Sequence, residues 1–268
     1  MPPDTSLWLR AEAPWPAGVR AGFTLRHGGV SGPPWDSLNL GDHVGDNTQA
    51  VHHNRHLLSH ALEVDCRFLQ QVHGTDVAYL TAQSPHGLLA DACWTDAVGL
   101  AATILVADCL PVLLCSPDGR QVAAAHAGWR GLAGKQGRGV LESLADALRK
   151  NARGSDLSGW IAWLGPCIGP AAFEVGPEVR AAFVDEDATA AACFKPACDH
   201  AASNKYLADL PALARQRLES CGLSAVYGND GSPGWCTFNN SLRFFSHRRD
   251  ARRFGSTGRM AALIWRQG

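Results

Sequence analysis

The sequence predicts one compact α+β domain, and three observations carry that expectation. The chain has 268 residues, 46% of them hydrophobic, which is enough for a sizeable core. Short apolar runs bounded by Gly and Pro alternate with segments of helical periodicity. No internal repeat, low-complexity stretch or linker divides residues 1–268.

In chain order, residues 1–21 are rich in Pro and Ala and form an N-terminal extension or one edge strand. Gly22–Leu25 opens a strand, after which Gly, Pro, Asp and Asn dominate as far as Asn47 and predict a long ordered loop. Asp46 or Asn47 caps a helix from Thr48 to about Leu62, with Val51, Leu58 and Leu62 as its apolar stripe. The stretch RFLQQVHGTDVAYL reads as a strand, a turn at His73–Asp76 and another strand. GLAATILVADCLPVLLCS gives two strands meeting at Asp108–Pro111, and QVAAAHAGWRGLAG a strand running into a Gly-rich turn. RGVLESLADALRKN is a helix with Leu141, Leu144, Ala145 and Leu148 on one face, and GWIAWLGPCIGP is a buried strand. Helices at Pro177–Phe183 and Leu207–Ser220 and a strand at Met260–Trp265 complete the chain.

Composition excludes several classes of function. Lys and Arg number 24 against 25 Asp and Glu, so no global field favours nucleic acid or an anionic membrane. The opening MPPDTSLWLRAEAPW lacks the basic and apolar regions of a secretory signal, and no apolar run reaches the roughly 18 residues of a membrane span. Nine cysteines, an odd number with no CxxC pair, fit reduced thiols, so a cytoplasmic location is expected.

Three metal-capable side chains interrupt apolar frames: His73 in QVHG, Cys109 in ADCLPV and His126 in AAAHAGWRG. Each is followed closely by Gly or Pro, which places it where a strand stops and a side chain faces a cleft. Two imidazoles and one thiolate make a three-ligand zinc set with the fourth position free, the pattern of a catalytic site. The separations are too wide for a zinc finger, so only the fold can assemble them. Taken singly, each residue also reads as a buried core His or Cys with a backbone partner.

The motifs TLRHGGVS, LNLGDHVGDN, QVHG, ADCLPVLL, AAAHAGWRG, LGPCIGP, FEVGPEV and FFSHRRD…TGRMAALIW occur in that order between about Gly22 and Trp265. Together they resemble the YfiH/laccase-domain family, whose members are called polyphenol oxidases or purine nucleoside phosphorylases. The resemblance implies mixed β-sheets layered with helices (α/β/β/α-like), similar to the fold of a bacterial toxin deamidase. It implies zinc on His73, Cys109 and His126. It also implies phosphorolysis of adenosine, inosine, guanosine and methylthioadenosine to free base and ribose 1-phosphate, together with deamination of adenosine. Purine nucleosides and phosphate are then the partners. Two stretches, near residues 134–139 and 251–256, look longer than the family pattern and bear on the rim of the site.

On this reading Arg26, in the RHGG turn, and Arg130, after HAGW, are candidates to grip phosphate bidentately, with a structural ion pair as the alternative for each. Asn47 hydrogen-bonds a sugar hydroxyl or phosphate, or simply caps the helix. Asp108 faces away from Cys109 on a regular strand and orients the site from behind, or acts as a general acid where a bulge re-aims it. His52, His56 and His60 recur at helical spacing but fall beside the apolar stripe and face solvent. Cys193 and Cys198 read as free thiols, and Cys115, Cys167, Cys221 and Cys236 as small core hydrophobes. RRDARR at 248–253 reads as a solvated basic loop that could edge an anionic substrate site.

Other readings compete. A copper-dependent polyphenol oxidase is the first, although a multicopper site needs imidazoles in tight pairs and the chain has no His-x-His. A hydrolase with Cys109 as nucleophile and His126 as base, including a cell-wall precursor editing role, is the second. A non-enzymatic metal-binding protein is the third, against which stands the cost of an Asp-Cys pair in an apolar run.

Overall fold

The alternation of side chains along two neighbouring strands sets the architecture. Leu100–Val106 and Met260–Arg266 pair antiparallel, from Val106 opposite Met260 to Ala101 opposite Trp265. Ala102, Ile104, Ala262 and Ile264 point to one face, and Leu105, Ala261, Leu263 and Trp265 to the other. A sheet apolar on both faces must be covered twice. The computed structural model describes residues 7–151, 156–197 and 204–268 and places this sheet between a second sheet and a helix.

The first sheet has five strands in the order Trp8–Arg10, Val19–Thr24, Met260–Arg266, Leu100–Val106 and Asp65–Arg67. The second has six, in the order Ala225–Gly228, Ile161–Leu164, Leu110–Cys115, Val122–Ala127, Ala92–Thr95 and Val77–Tyr79. Phe23 and Ile104 of the first sheet meet Leu113, Ala124 and Trp163 of the second in the inter-sheet core. Helix α1 (Thr48–Leu62) covers the first sheet's outer face through Leu58 and Leu62. Helices α2 (Trp129–Ala133), α3 (Val140–Asn151), α4 (Pro177–Val184) and α5 (Leu210–Ser220) cover the second through residues such as Leu132, Leu144, Phe183 and Leu213. The layers therefore run helix, sheet, sheet, helices, which is the α/β/β/α order expected. A three-stranded sheet of Glu174–Val175, Tyr206–Ala208 and Phe194–Pro196, and helix α6 (His247–Phe254), lie outside the two large sheets.

Several elements differ from expectation. The strand expected in RFLQQV ends at Arg67, and the predicted Leu207–Ser220 helix begins at Leu210, where Asp209 caps it by accepting from the Ala212 amide. The Gly-rich turn after His126 is the short helix α2, and the basic run at 248–253 is helical, with Asp250 buried beneath Arg249. Residues 251–254 of the apparent insertion thus continue α6, while Lys135 and Arg138 of the other pair across a tight turn. Leu100–Val106 and Leu110–Cys115 belong to different sheets, so the chain changes sheet at Ala107–Cys109. Cys109 therefore sits in a crossover and not within a strand, and Pro111 lies inside the strand that follows it. No helix among the described residues is long and apolar enough to cross a membrane.

Candidate active site

The crossover builds one wall of the site. Asp108 adopts φ +83°, in the left-handed region where a non-glycine residue costs on the order of 1 kcal/mol or more. Its side chain explains how that is held. Thr237 Oγ1 donates to Oδ1 at 2.6 Å, while Ser246 Oγ and the Arg248 amide donate to Oδ2 at 3.0 and 2.6 Å. The carboxylate thereby ties the crossover to the first turn of α6. Although Asp108 borders the cavity, both its oxygens are engaged by the protein, which suits an anchor better than a general acid.

His126 reaches the same place by strand alternation. Val122 and Ala124 belong to the inter-sheet core, and His126, two residues further on, ends that row at the rim of the sandwich. His73 comes from the turn after Val72 and has φ +59°. One residue that sequence reasoning missed holds both histidines. The fully buried Asp91 accepts from the amides of Val72, His73 and Gly74 at 3.1, 2.9 and 2.6 Å, and its Oδ1 lies 2.8 Å from His126 Nδ1. A carboxylate only accepts, so Nδ1 keeps its proton and Nε2 is the nitrogen that turns to the metal set, giving up its own proton when an ion binds. Asp91 lies in LLADACW, an acid in an apolar frame just as Asp108 is, and that frame was the available signal.

The donor atoms of His73, Cys109 and His126 all lie within 4.8 Å of one another, with Cys109 Sγ 3.7 Å from His73 Nε2. Bonds of about 2.0–2.3 Å to a tetrahedral zinc would set such donors about 3.5 Å apart, so the set closes on one ion after small shifts. Gly128 shows how tight the cluster is: a Cβ there would stand 2.8 Å from His73 Cδ2 and 2.9 Å from Cys109 Sγ. Electrostatics favour the ligand form of the thiol. Burial opposes ionisation of Cys109, but the charge of His126 and hydrogen bonds from both imidazoles outweigh it and hold the pKa below its ordinary value. Burial likewise opposes protonation of His126, and the Cys109 thiolate and Asp91 overcome it to raise that pKa. The other cysteines whose shift is resolved are all pushed up, first by burial. The donor set fits one ion, and it is the one group of three or more such donors among the described residues.

These groups form the floor of a cavity of about 370 Å³. Arg130 lines it, exposed and stacked on Trp129 at 4.4 Å, with no carboxylate in salt-bridge reach among the described residues. Arg248, the first residue of the RRDARR run, lines it too, as do Arg259, His43 and His247, which sequence reasoning did not select although the SHRRD and TGRM motifs contain two of those three. Burial, then the Arg259 charge, holds both imidazoles below the ordinary histidine value.

Two expected substrate contacts lie elsewhere. Arg26 does not line the cavity; its guanidinium donates to the carbonyls of Asp36 and Ser241 at 3.1 and 3.0 Å, pairs with the Asp36 carboxylate and covers Phe245. Asn47 is the cap of α1, accepting from the amides of Gln49 and Ala50. Residues 134–139 do not border the cavity either. His52, His56 and His60 are exposed on α1, and Cys115, Cys167, Cys193, Cys221 and Cys236 are buried thiols, whereas Cys198 lies outside the described residues.

Two expected outcomes follow from these contacts. Asp91→Asn replaces an acceptor by a group that must present N–H to one of four donors, and the affinity of the three-donor set for a metal ion should fall about 10- to 100-fold, read by chelator competition with zinc as the probe. Arg26→Ala should lower unfolding stability by about 1–2 kcal/mol while leaving the phosphate KM of any phosphate-dependent activity unchanged. A raised phosphate KM in Arg26→Ala would return it to the site.

Across residues 20–267 the chain matches the family described as multi-copper polyphenol oxidoreductase laccase. It is 48% identical over 260 residues to a protein of Pseudomonas aeruginosa named purine nucleoside phosphorylase, covering 97% of this chain and 98% of that one. It is 46% identical over 254 residues to the purine nucleoside phosphorylase YfiH of Escherichia coli, covering 94% and 96%. The crystal structure of a Neisseria meningitidis protein of the DUF152 family superposes with a TM-score of 0.86 at 44% identity, over 97% and 99% of the two chains. With near-complete coverage by both sequence and fold, the chain belongs to the YfiH/laccase-domain family.

Proposed function

We propose that the chain is a zinc-dependent purine nucleoside phosphorylase, acting on adenosine, inosine, guanosine and methylthioadenosine, that also deaminates adenosine. The observation that carries this reading is the meeting of a three-donor metal set with Arg130, Arg248 and Arg259 in one cavity. The relatives' names support an enzyme of this class.

His73, Cys109 and His126 would hold the zinc, which supplies Lewis acidity and lowers the pKa of bound water. The surrounding residues bind and orient. Phe173, Leu105 and Ile168 offer apolar surface for a purine, and the guanidinium groups grip phosphate oxygens in their planar fork. In phosphorolysis a phosphate oxygen bonds to the anomeric carbon as the glycosidic C–N bond breaks, and the departing base takes up a proton. His43 and His247, with pKa values lowered first by burial and then by Arg259, are neutral imidazoles at pH 7 able to relay that proton. Deamination needs water delivered to adenine C6 and a proton for the leaving ammonia, and the same two imidazoles line that space.

Release of free base from a nucleoside panel, with and without phosphate, tests the reading on metal-analysed protein. Base should appear only with phosphate, and Arg130→Ala should raise the phosphate KM by roughly tenfold, the size of one lost charge-assisted contact. Base release at equal rate without phosphate would make the enzyme a hydrolase instead.

A further inference from the structure

A second cavity, of about 490 Å³, adjoins the first, and the two share the wall formed by His247 and Arg248. Lys205, Arg248 and Arg252 line it together with one carboxylate, Glu174. Lys205 Nζ already pairs with Glu174 Oε1 at 2.7 Å, and among the described residues no second carboxylate lines the cavity against Arg248 and Arg252, so cationic groups outnumber the acidic one there. Arg252 follows Arg248 by one helical turn on α6, which puts both on one face. Arg248 is also held in place. Its Nη1 donates to the Glu174 carbonyl at 2.8 Å, its guanidinium lies 5.5 Å from the Phe173 ring centre, and its amide is fixed by Asp108. Phe173 lines the metal cavity, so this arginine stands where an apolar base-binding surface gives way to a cationic one.

From this geometry we propose that the Lys205/Arg248/Arg252 cavity binds the phosphoryl group of a phosphorylated purine nucleoside whose base and ribose lie in the metal cavity. The inference rests on the purine nucleoside reading above and extends it from nucleosides to nucleotides. Inorganic phosphate offers the same oxyanion chemistry, so a test must separate the two sources. Screening predicts that nucleotide affinity falls with added salt more steeply than nucleoside affinity.

The test is binding to the zinc-loaded full chain, by calorimetry, with adenosine 5′-monophosphate, adenosine and inorganic phosphate as separate probes. The wild type should bind the monophosphate at least about tenfold more tightly than adenosine, and Arg252→Glu should remove that advantage. Adenosine and inorganic phosphate affinities should change less than about twofold in the same variant. Lys205→Ala, which also frees Glu174, should reproduce the loss in a second fold-preserving background. An unchanged monophosphate affinity in both variants would overturn the proposal. So would a loss of inorganic phosphate affinity as large as that of the monophosphate. Failure of the phosphorylase reading looks different: no base release, with these binding differences intact.

Discussion

Cys109→Ala is expected to fold and to purify with less than about a tenth of the wild-type zinc, because two imidazoles alone hold the ion far more weakly than two imidazoles and a thiolate. His126→Ala should behave likewise, and both should lose turnover in proportion to metal. Acidity should act through the same residues. Burial works against the Cys109 thiolate but His126 and His73 outweigh it, so the group is ionised at neutral pH and zinc displaces no proton from it. His126, burial notwithstanding, is held protonated in the metal-free protein by Cys109 and Asp91, so zinc binding should release about one proton from that imidazole. As the pH falls through the lowered Cys109 range the thiolate takes up a proton and zinc should leave. Raising the pH above neutrality should only strengthen binding. Metal content after equilibration across pH reads this directly, and full occupancy in Cys109→Ala would remove the thiol from the site.

Asp108→Asn should separate metal from turnover. The carboxylate accepts from Thr237, Ser246 and the Arg248 amide, and an amide in its place must turn N–H toward at least one donor. Unfolding stability should fall by about 2–4 kcal/mol. The first turn of α6 should loosen, and with it His247 and Arg248. Most of the zinc should stay, since no ligand side chain hydrogen-bonds the Asp108 carboxylate, while kcat/KM should drop roughly 10- to 100-fold. Phosphate KM should rise along with the fall in kcat, a split that global destabilisation alone does not produce. Equal loss of zinc in Asp108→Asn and Cys109→Ala would make Asp108 part of the metal site.

The parts of this structure legible in the sequence are those with a local cause. Helix α1 runs from Thr48 to Leu62 as read, because Asn47 caps it and Val51, Leu58 and Leu62 keep the period. Helix α3 declares itself through Leu141, Leu144, Ala145 and Leu148. Strands as short as Glu174–Val175 carry no measurable period and exist only through pairing with Tyr206–Ala208. The three-donor set was visible as polar residues in apolar frames, and Asp91 carries the same signal, but its pairing with His126 was not visible. Asp91 acts on His126 from 35 positions away, and nothing near either residue announces the other. Arg26 illustrates the opposite failure. A guanidinium in a Gly-rich turn resembles an anion clamp until the Ser241 carbonyl, 215 positions along the chain, is found to occupy it. Arg259 occupies the cavity that Arg26 does not, delivered by the TGRM turn at the start of the last strand.

The most direct test of a single zinc governing phosphorolysis in this cavity is a titration of metal-stripped protein with zinc, following the initial rate of phosphate-dependent base release. The rate should climb linearly and saturate at about one equivalent per chain, as three donors converging on one point require. Full activity in metal-stripped Cys109→Ala, with no response to added zinc, would contradict it.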